Sequence, residues 1–393
     1  MKNILMFVMI FAFSINANSQ ITTDELSGEI NTITTAVPFL VIAPDSRSGG
    51  MGEVGVATTP DANSMHWNPA KYGFIDKEMG LSISFTPWLS NLVDDIYLGY
   101  LSYFKRLDKN QVVAASLLYF SLGDIVFTDI HGDYTGDFNP HEFSLDLAYS
   151  RVFSKKVSSG LAARYIYSNL TGPNASSNIA THPGKTIAMD VSVYYNDDIK
   201  ISDYDSKLAF GMNISNIGAK ISYTEEERDF IPINLRLGSS LNMDIDEYNS
   251  LAFSIDINKL MVPTPNLEGS DTVYGKDENV SVPVGMFQSF YDAPGILRSD
   301  GTRNIFKEEI RELTYSVGAE YWYSKQFAIR AGYFHEHATK GNRKFATIGL
   351  GLKLNVFGLD FAYLIPTNQT NSPLANTLRF TLVFDFETFS QQN

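Results

Sequence analysis

Residues 376–386 read NTLRFTLVFDF. In an extended chain Leu378, Phe380, Leu382, Phe384 and Phe386 fall on one face, and Thr377, Arg379, Thr381 and Asp385 on the other, with Val383 the exception. Side chains alternate across a strand, so one face is apolar and the other carries charge. One such strand fits the core of a soluble sandwich as well as a membrane barrel wall. The pattern recurs, however. Leu313, Tyr315, Val317, Ala319, Tyr321 and Tyr323 oppose Glu312, Thr314, Ser316, Gly318 and Glu320. Leu251, Phe253, Ile255 and Ile257 oppose Ala252, Ser254, Asp256 and Asn258, and Ile233, Leu235, Leu237, Leu241 and Met243 oppose Asn234, Arg236, Gly238, Ser240 and Asn242. Leu208, Phe210, Met212 and Ile214 oppose Ala209, Gly211, Asn213 and Ser215. Dyad repeats of about ten residues are the signal of an outer-membrane barrel.

The periodicity predicts fourteen strands, near 80–86, 95–105, 111–121, 141–153, 157–168, 185–195, 206–216, 233–243, 250–260, 311–323, 326–336, 343–355, 357–365 and 376–386. An even count leaves both ends on one side. The connections sort by parity. Those at 106–110, 154–156, 196–205, 244–249, 324–325 and 356 are mostly short and polar. Of those between them, 122–140, 169–184, 217–232 and 261–310 are long, while 87–94, 337–342 and 366–375 are moderate. Short turns on one rim and long loops on the other are the habit of outer-membrane barrels. A soluble sandwich has no reason to sort its loops this way.

Composition agrees. No cysteine is present, so a disulfide framework and a Cys-based metal site are excluded. Aromatics reach 13%, with 21 Tyr and 27 Phe, and the mean hydropathy of −0.09 is near zero, as expected when lipid-facing and lumen-facing residues cancel. Lys2 is the only charge before Asp24, and 4–13 is an apolar run of signal-peptide length followed by Ala17-Asn18-Ser19. The run is short of the roughly 20 residues a spanning helix needs, so a secretory signal over 1–19 is expected, with Gln20 as the mature start. Residues 20–393 then hold 29 basic and 44 acidic side chains, a net charge of −15, which argues against nucleic acid as a partner.

About fifty residues precede the first strand. Residues 38–73 read PFLVIAPDSRSGGMGEVGVATTPDANSMHWNPAKYG, rich in Gly, Pro, Ser, Thr and Asn yet carrying apolar Phe39, Leu40, Val41, Ile42, Met51, Val54 and Val56. A barrel of this strand number is too wide for wall side chains to fill, so the segment is expected to fold into the lumen as a plug, entering at the mouth beside strand one. Arg47, Met51, Gly52, Glu53, Trp67, Asn68 and Pro69 are its candidate plug residues, and Arg47, Glu53 and Asp61 are placed to pair with the wall. The inward strand faces carry mixed charge: Asp146, Arg164, Asp190, Arg236, Asp256, Glu320, Arg330, Lys353, Asp360, Arg379 and Asp385. Such charges can line an ion path. More often they brace a plug as a mutually satisfied network, because buried charges need partners.

The motifs PFL (38–40), PDSR (44–47), MGEVGVA (51–57) and WNPA (67–70), followed by NIGAKISY (216–223), IP (231–232) and LRLG (235–238), resemble the PorV family, outer-membrane proteins of the type IX secretion system, among barrels similar to the fatty-acid transporter FadL. A sister family, PorQ, shares much of the plug pattern. The resemblance covers essentially the whole mature chain. It implies fourteen strands, an N-terminal plug, a Bacteroidetes-type outer membrane and a role in secretion. The implied partners are the large translocon barrel and secreted substrate proteins with C-terminal signals.

Catalytic chemistry finds no constellation, and neither an enzymatic activity nor a cofactor is expected. His335-Glu336-His337 puts two imidazoles on one face, but without an evident third ligand. Asp129, Asp133 and Asp137 lack the spacing of an EF-hand loop. Gly49-Gly50-Met51-Gly52 lacks the strand before and helix after it that a phosphate loop needs, and reads as a tight turn in the plug. The connection 261–310 has a charged half and then the apolar VPVGMFQSFY of 282–291. Met286, Phe287, Phe290 and Tyr291 either fold over the barrel mouth or dock a partner, as exposed aromatic and Met patches do.

The expected organisation is a signal peptide over 1–19, an N-terminal periplasmic segment and plug over 20–78, an all-β transmembrane barrel over 79–386 in contact with outer-membrane lipid, and a periplasmic tail over 387–393. Two functions follow. One is a secretion component that binds the translocon and its substrates at the cell surface. The other is a transporter of a hydrophobic small molecule, with Val41, Ile42, Met51 and Val54 lining a greasy pocket.

Overall fold

The computed structural model describes residues 29–89, 93, 95–129, 131–171, 181–225, 227–268, 272–298, 300–367 and 377–386. The expected signal peptide and the C-terminal tail lie outside these residues. Fourteen strands form one closed barrel: β1 (Met79–Pro87), β2 (Ile96–Arg106), β3 (Gln111–Leu122), β4 (His141–Val152), β5 (Val157–Asn169), β6 (Gly184–Ile201), β7 (Tyr204–Gly218), β8 (Asn234–Asp244), β9 (Asn249–Leu260), β10 (Thr314–Tyr323), β11 (Phe327–His335), β12 (Lys344–Leu354), β13 (Phe357–Pro366) and β14 (Leu378–Phe386). Each pairs antiparallel with its neighbour in sequence. The ring closes where β1 meets β14, Met79 opposite Phe386 and Phe85 opposite Phe380. Closure leaves no strand edge unpaired along the wall, which a lipid-facing sheet requires.

The two faces of each strand separate as the alternation predicts. On β4, Leu145 and Leu147 are exposed while Ser144, Asp146 and Ala148 are buried. Ile187, Phe253, Ile255, Ile348 and Leu350 continue the outward apolar belt around the ring. Connections of two to four residues join strands at one rim, and connections of eight to 53 residues at the other. Among the described residues no helix is long and apolar enough to cross a membrane, so any crossing is made by strands.

The strand boundaries depart from expectation most at two places. The β6–β7 hairpin runs on to Ile201 and Tyr204 around a two-residue turn, where 196–205 reads as a loop. Beyond the lipid layer a strand needs no apolar face, so Asp197, Asp198 and Lys200 blur the pattern while the ladder of hydrogen bonds continues. β10 begins at Thr314 and not at 311, because 305–311 forms a helix whose N-terminus Asn304 caps by accepting from the Lys307 N–H at 3.1 Å. One bulge interrupts the ladder between β6 and β7 at Asp190, whose carboxylate accepts the N–H of Asn216 at 2.8 Å.

The N-terminal segment runs through the lumen from one rim to the other. At the long-connection rim the N–H of Asn31 donates to Thr339 O and that of Ala36 to Phe230 O, both at 3.0 Å. At the short-turn rim the Arg106 guanidinium donates to Ile75 O, and the Arg106 N–H to Glu78 O at 2.7 Å. The chain therefore enters among the long connections and leaves beside β1. The sequence places the whole stretch at the mouth beside strand one; the contacts of 29–36 with three long connections extend it through the full height of the barrel. Each end has an apolar core. Val37, Phe39 and Leu40 pack with Leu98, Phe120, Ile166, Ile221 and Met261 at the long-connection end. Ala62, Met65, Tyr72 and Ile75 pack with Phe104, Val112 and Ala148 at the other.

Candidate functional site

The middle of the plug is built on close main-chain approach. A short helix, α1 (Ser46–Gly49), is capped by Asp45, whose carboxylate accepts the Ser48 N–H at 2.9 Å and the Trp67 indole N–H at 2.6 Å. The turn after it needs Gly52 at φ 68°, and the Gly52 N–H donates to Thr347 on the wall at 2.8 Å. The wall answers with glycine. A β-carbon at Gly332 would lie 2.0 Å from the carbonyl carbon of Met51, and one at Gly349 3.1 Å from the α-carbon of Gly50. A second short helix, α2 (Ser64–Trp67), ends at Asn68. The Asn68 amide donates to Val56 O and Val193 O, and its oxygen accepts from Ala70 N–H, so that Pro69 opens the last turn of plug before β1.

Charge then ties plug to wall. Arg47 pairs with Glu320 at 2.8 Å and with Asp61 at 2.7 Å, and Glu320 also holds Arg330, which reaches Asp360 at 2.6 Å. Arg379 pairs with Glu53 at 2.7 Å. Asp256 accepts the N–H groups of Gly55 and Val56 at 2.7 and 3.0 Å. Arg164 holds Asp146 and Asp190 at 2.5 and 3.2 Å. Asp385 pairs with Lys353 at the short-turn end, apart from the rest. Arg236 lies over the Trp67 ring, 4.7 Å from its centroid. Asp61 meets Arg47 within the plug and not the wall. Lys71 is not singled out by the sequence pattern, yet it is fully buried and donates to Gly55 O and Thr58 at 2.9 Å.

Over the long-connection mouth lies the 261–313 connection, with helices α3 (Val282–Gln288) and α4 (Ile305–Arg311). Met286 turns inward and packs against the apolar cluster that contains Phe230 and Val282. Phe287, Phe290 and Tyr291 face out, as do Ile305 and Phe306, with Phe287 70% and Phe306 74% exposed. The four residues read as one patch are therefore divided by helical geometry. Beneath them runs a buried ionic clamp. Lys259 of β9 pairs with Glu309 and Glu312, and Lys340 with Glu308 and Glu312, at 2.6–3.1 Å. The Asn31 amide donates to Pro265 O and Glu308, so the entering chain is bonded into the same clamp. A helical spacing in KEEIRE (307–312) is the one sequence signal that points to it.

Among the described residues a cavity lies at each end of the lumen, and the two share no lining residue. The one near the short turns, about 570 Å³, carries charged groups, lined among others by Asp198, Lys200, Lys207 and Glu320. The one near the long connections, about 530 Å³, is lined by Phe39, Val41, Ile42, Trp88 and Phe120, with Arg236 and Trp67. Of the four residues expected in a greasy pocket, Val41 and Ile42 line it. Met51 and Val54 are buried instead against the wall glycines. Among the described residues no group of three or more His, Cys, Asp or Glu can hold a metal ion. Glu336 of the His-Glu-His run is taken by Arg343 at 2.9 Å, and Asp129 accepts main-chain N–H groups of His131 and Asp133.

A family model described as type IX secretion system protein PorV matches residues 25–267. Among solved structures, the Ralstonia pickettii toluene transporter TbuX is 12% identical and aligns over 89% of this chain and 100% of its own, with a TM-score of 0.48. A Pseudomonas aeruginosa FadL homologue is 12% identical over 92% of this chain and 100% of its own, TM-score 0.46. The Pseudomonas putida toluene transporter TodX is 12% identical over 90% and 98%, TM-score 0.44. No curated protein matches the chain.

Proposed function

The chain belongs to the PorV family of type IX secretion system proteins, and from that premise we propose that it is a plugged outer-membrane barrel that works by docking. It binds the large translocon barrel and secreted substrate proteins with C-terminal signals through its long-connection rim, which faces the cell exterior while the short turns and the chain end after β14 face the periplasm. The observation that carries this reading is the capped mouth. Phe287, Phe290, Tyr291, Ile305 and Phe306 are exposed on a connection clamped to the barrel by buried ion pairs. Exposed aromatic side chains on a rigid support are the usual anchors of a protein interface. A plug bonded to the wall around the ring supports docking over passage. Neither an enzymatic role nor a cofactor is part of the proposal.

The second reading, a transporter of a hydrophobic small molecule, draws on the apolar cavity at the long-connection end. Co-purification in detergent separates the two. Recovery of the large barrel and secreted substrates from the wild-type chain, lost in a Phe287→Ser, Phe306→Ser variant that keeps heat-modifiable migration, supports docking. Unchanged recovery from that variant removes the assigned surface. A lone barrel that carries a long-chain fatty acid and no protein removes the docking reading.

A further inference from the structure

The chain is acidic as a whole, yet its short-turn rim concentrates basic side chains in one arc. Residues 105–111 and 149–157 hold the ends of β2–β5 and the two turns that join them. They contain six basic side chains (Lys105, Arg106, Lys109, Arg151, Lys155 and Lys156) and one carboxylate, Asp108. The next two turns along the rim reverse the sign, with seven acidic and two basic side chains over 197–207 and 244–247. Two of the six cations are engaged: Arg106 donates to Ile75 O and Lys109 O, and Lys156 pairs with Asp197 at 2.8 Å. Asp108 accepts from the Asn110 N–H and the Gln111 amide. Lys105, Lys109, Arg151 and Lys155 are exposed and have no ion-pair partner among the described residues.

Lys105 and Arg151 stand on the outward face of the wall. On β2 that face runs Leu101, Tyr103, Lys105, and on β4 it runs Leu147, Tyr149, Arg151, all exposed. Both strands pass from aliphatic to aromatic to basic towards the short turns. Acyl chain, interface and headgroup impose that order on a lipid-facing surface. β3 between them is neutral there. Val113 is in register with Lys105 and Tyr149, and Gln111 with Arg151, the Gln111 amide oxygen accepting from the Tyr149 hydroxyl. Two cations without carboxylate partners therefore flank a neutral strip of wall at headgroup depth. A guanidinium offers phosphate oxygens a fork, and an ammonium offers them a point charge. A protein could reach this face only by displacing lipid, which favours a lipid headgroup as the occupant.

We propose that this arc binds the headgroup of an anionic phospholipid. Lys105 and Arg151 hold its phosphate, Lys109 and Lys155 border it, and its acyl chains lie along Leu101 and Leu147. The acidic turns beside the arc confine the attraction to β2–β5, so the lipid marks one side of the barrel. Assignment of the lipid to the periplasmic leaflet rests on the sidedness proposed above; the headgroup preference does not.

The test exposes the full-length protein in mild detergent to equimolar phosphatidylglycerol and phosphatidylcholine and counts retained lipid by native mass spectrometry. Phosphatidylglycerol should be preferred about ten-fold or more, the scale of two basic side chains acting on an anionic headgroup. A Lys105→Gln, Arg151→Gln variant should lose most of that preference. A Lys200→Gln, Lys207→Gln variant, which removes the same charge from the neighbouring hairpin, should keep it. Equal retention of the two lipids by the unaltered chain overturns the proposal, whether or not the variants fold. So does an equal loss of preference in both variants, which assigns the effect to net charge and not to the arc. Sidedness is read separately, by maleimide labelling of Asp203→Cys: reaction on intact cells overturns the assigned leaflet and leaves the headgroup preference standing as measured.

Discussion

Glu320 sits between Arg47 of the plug and Arg330 of the wall, and all three are nearly out of water. Glu320→Ala leaves two cations facing each other in a closed lumen. It is expected to cost about 3–5 kcal/mol, as removal of one partner from a buried pair does, read as a lowered temperature for loss of the folded, fast-migrating barrel. An unchanged transition would show the pair to be solvated. Gly332 tests the main-chain contact. Any side chain there meets Met51 at 2.0 Å, so Gly332→Val should displace the plug and raise ion conductance in planar bilayers while the barrel still forms. Conductance equal to wild type would sink the assignment of this contact as the seal. The inward position of these residues was legible from alternation alone. Their pairing was not, since Arg47 and Glu320 lie 273 residues apart and meet only because the ring closes around the plug.

The 261–313 connection shows the same division at the level of an element. Its apolar half was legible as a run of hydrophobic residues, but the split between inward Met286 and outward Phe287 follows from helical pitch, which a run this short does not reveal. The clamp beneath it also sets a pH dependence. Burial pushes the Asp292 carboxyl up to about 6 from 3.8, with Glu309 and Glu312 adding repulsion, and burial raises Glu309 as well. A carboxyl with a higher pKa in the folded state takes up a proton on folding. The connection therefore gains stability as pH falls through about 6, the gain from Asp292 being complete near 3.8, and lacks that gain at neutral pH. Proteolysis within 261–313 should be slower at about pH 5 than at about pH 8. Asp292→Asn, which keeps an acceptor for the Thr264 N–H, should flatten the difference. A pH response unaltered by that substitution would exclude Asp292 as its source.

For the whole molecule, the threading of the plug makes a prediction about sidedness. The chain has no cysteine, so single cysteines report cleanly. Glu29→Cys, at the long-connection rim, should react with a membrane-impermeant maleimide on intact cells; Asp203→Cys, at the tip of the β6–β7 hairpin, should react only after lysis. The reverse pattern would invert the barrel in the membrane.

What the sequence determined by itself is the wall: fourteen strands, their two faces and the sorting of their connections. Each of these is local, since a period of two and the length of a turn are set within ten or so residues. Only the tertiary structure decided the path of residues 29–75 through the lumen, which charges meet, and which aromatic side chains the 261–313 connection turns outward. These depend on contacts between segments hundreds of residues apart. Glycine and proline mark where the plug can bend, but the closed ring and the long connections it carries decide where it goes.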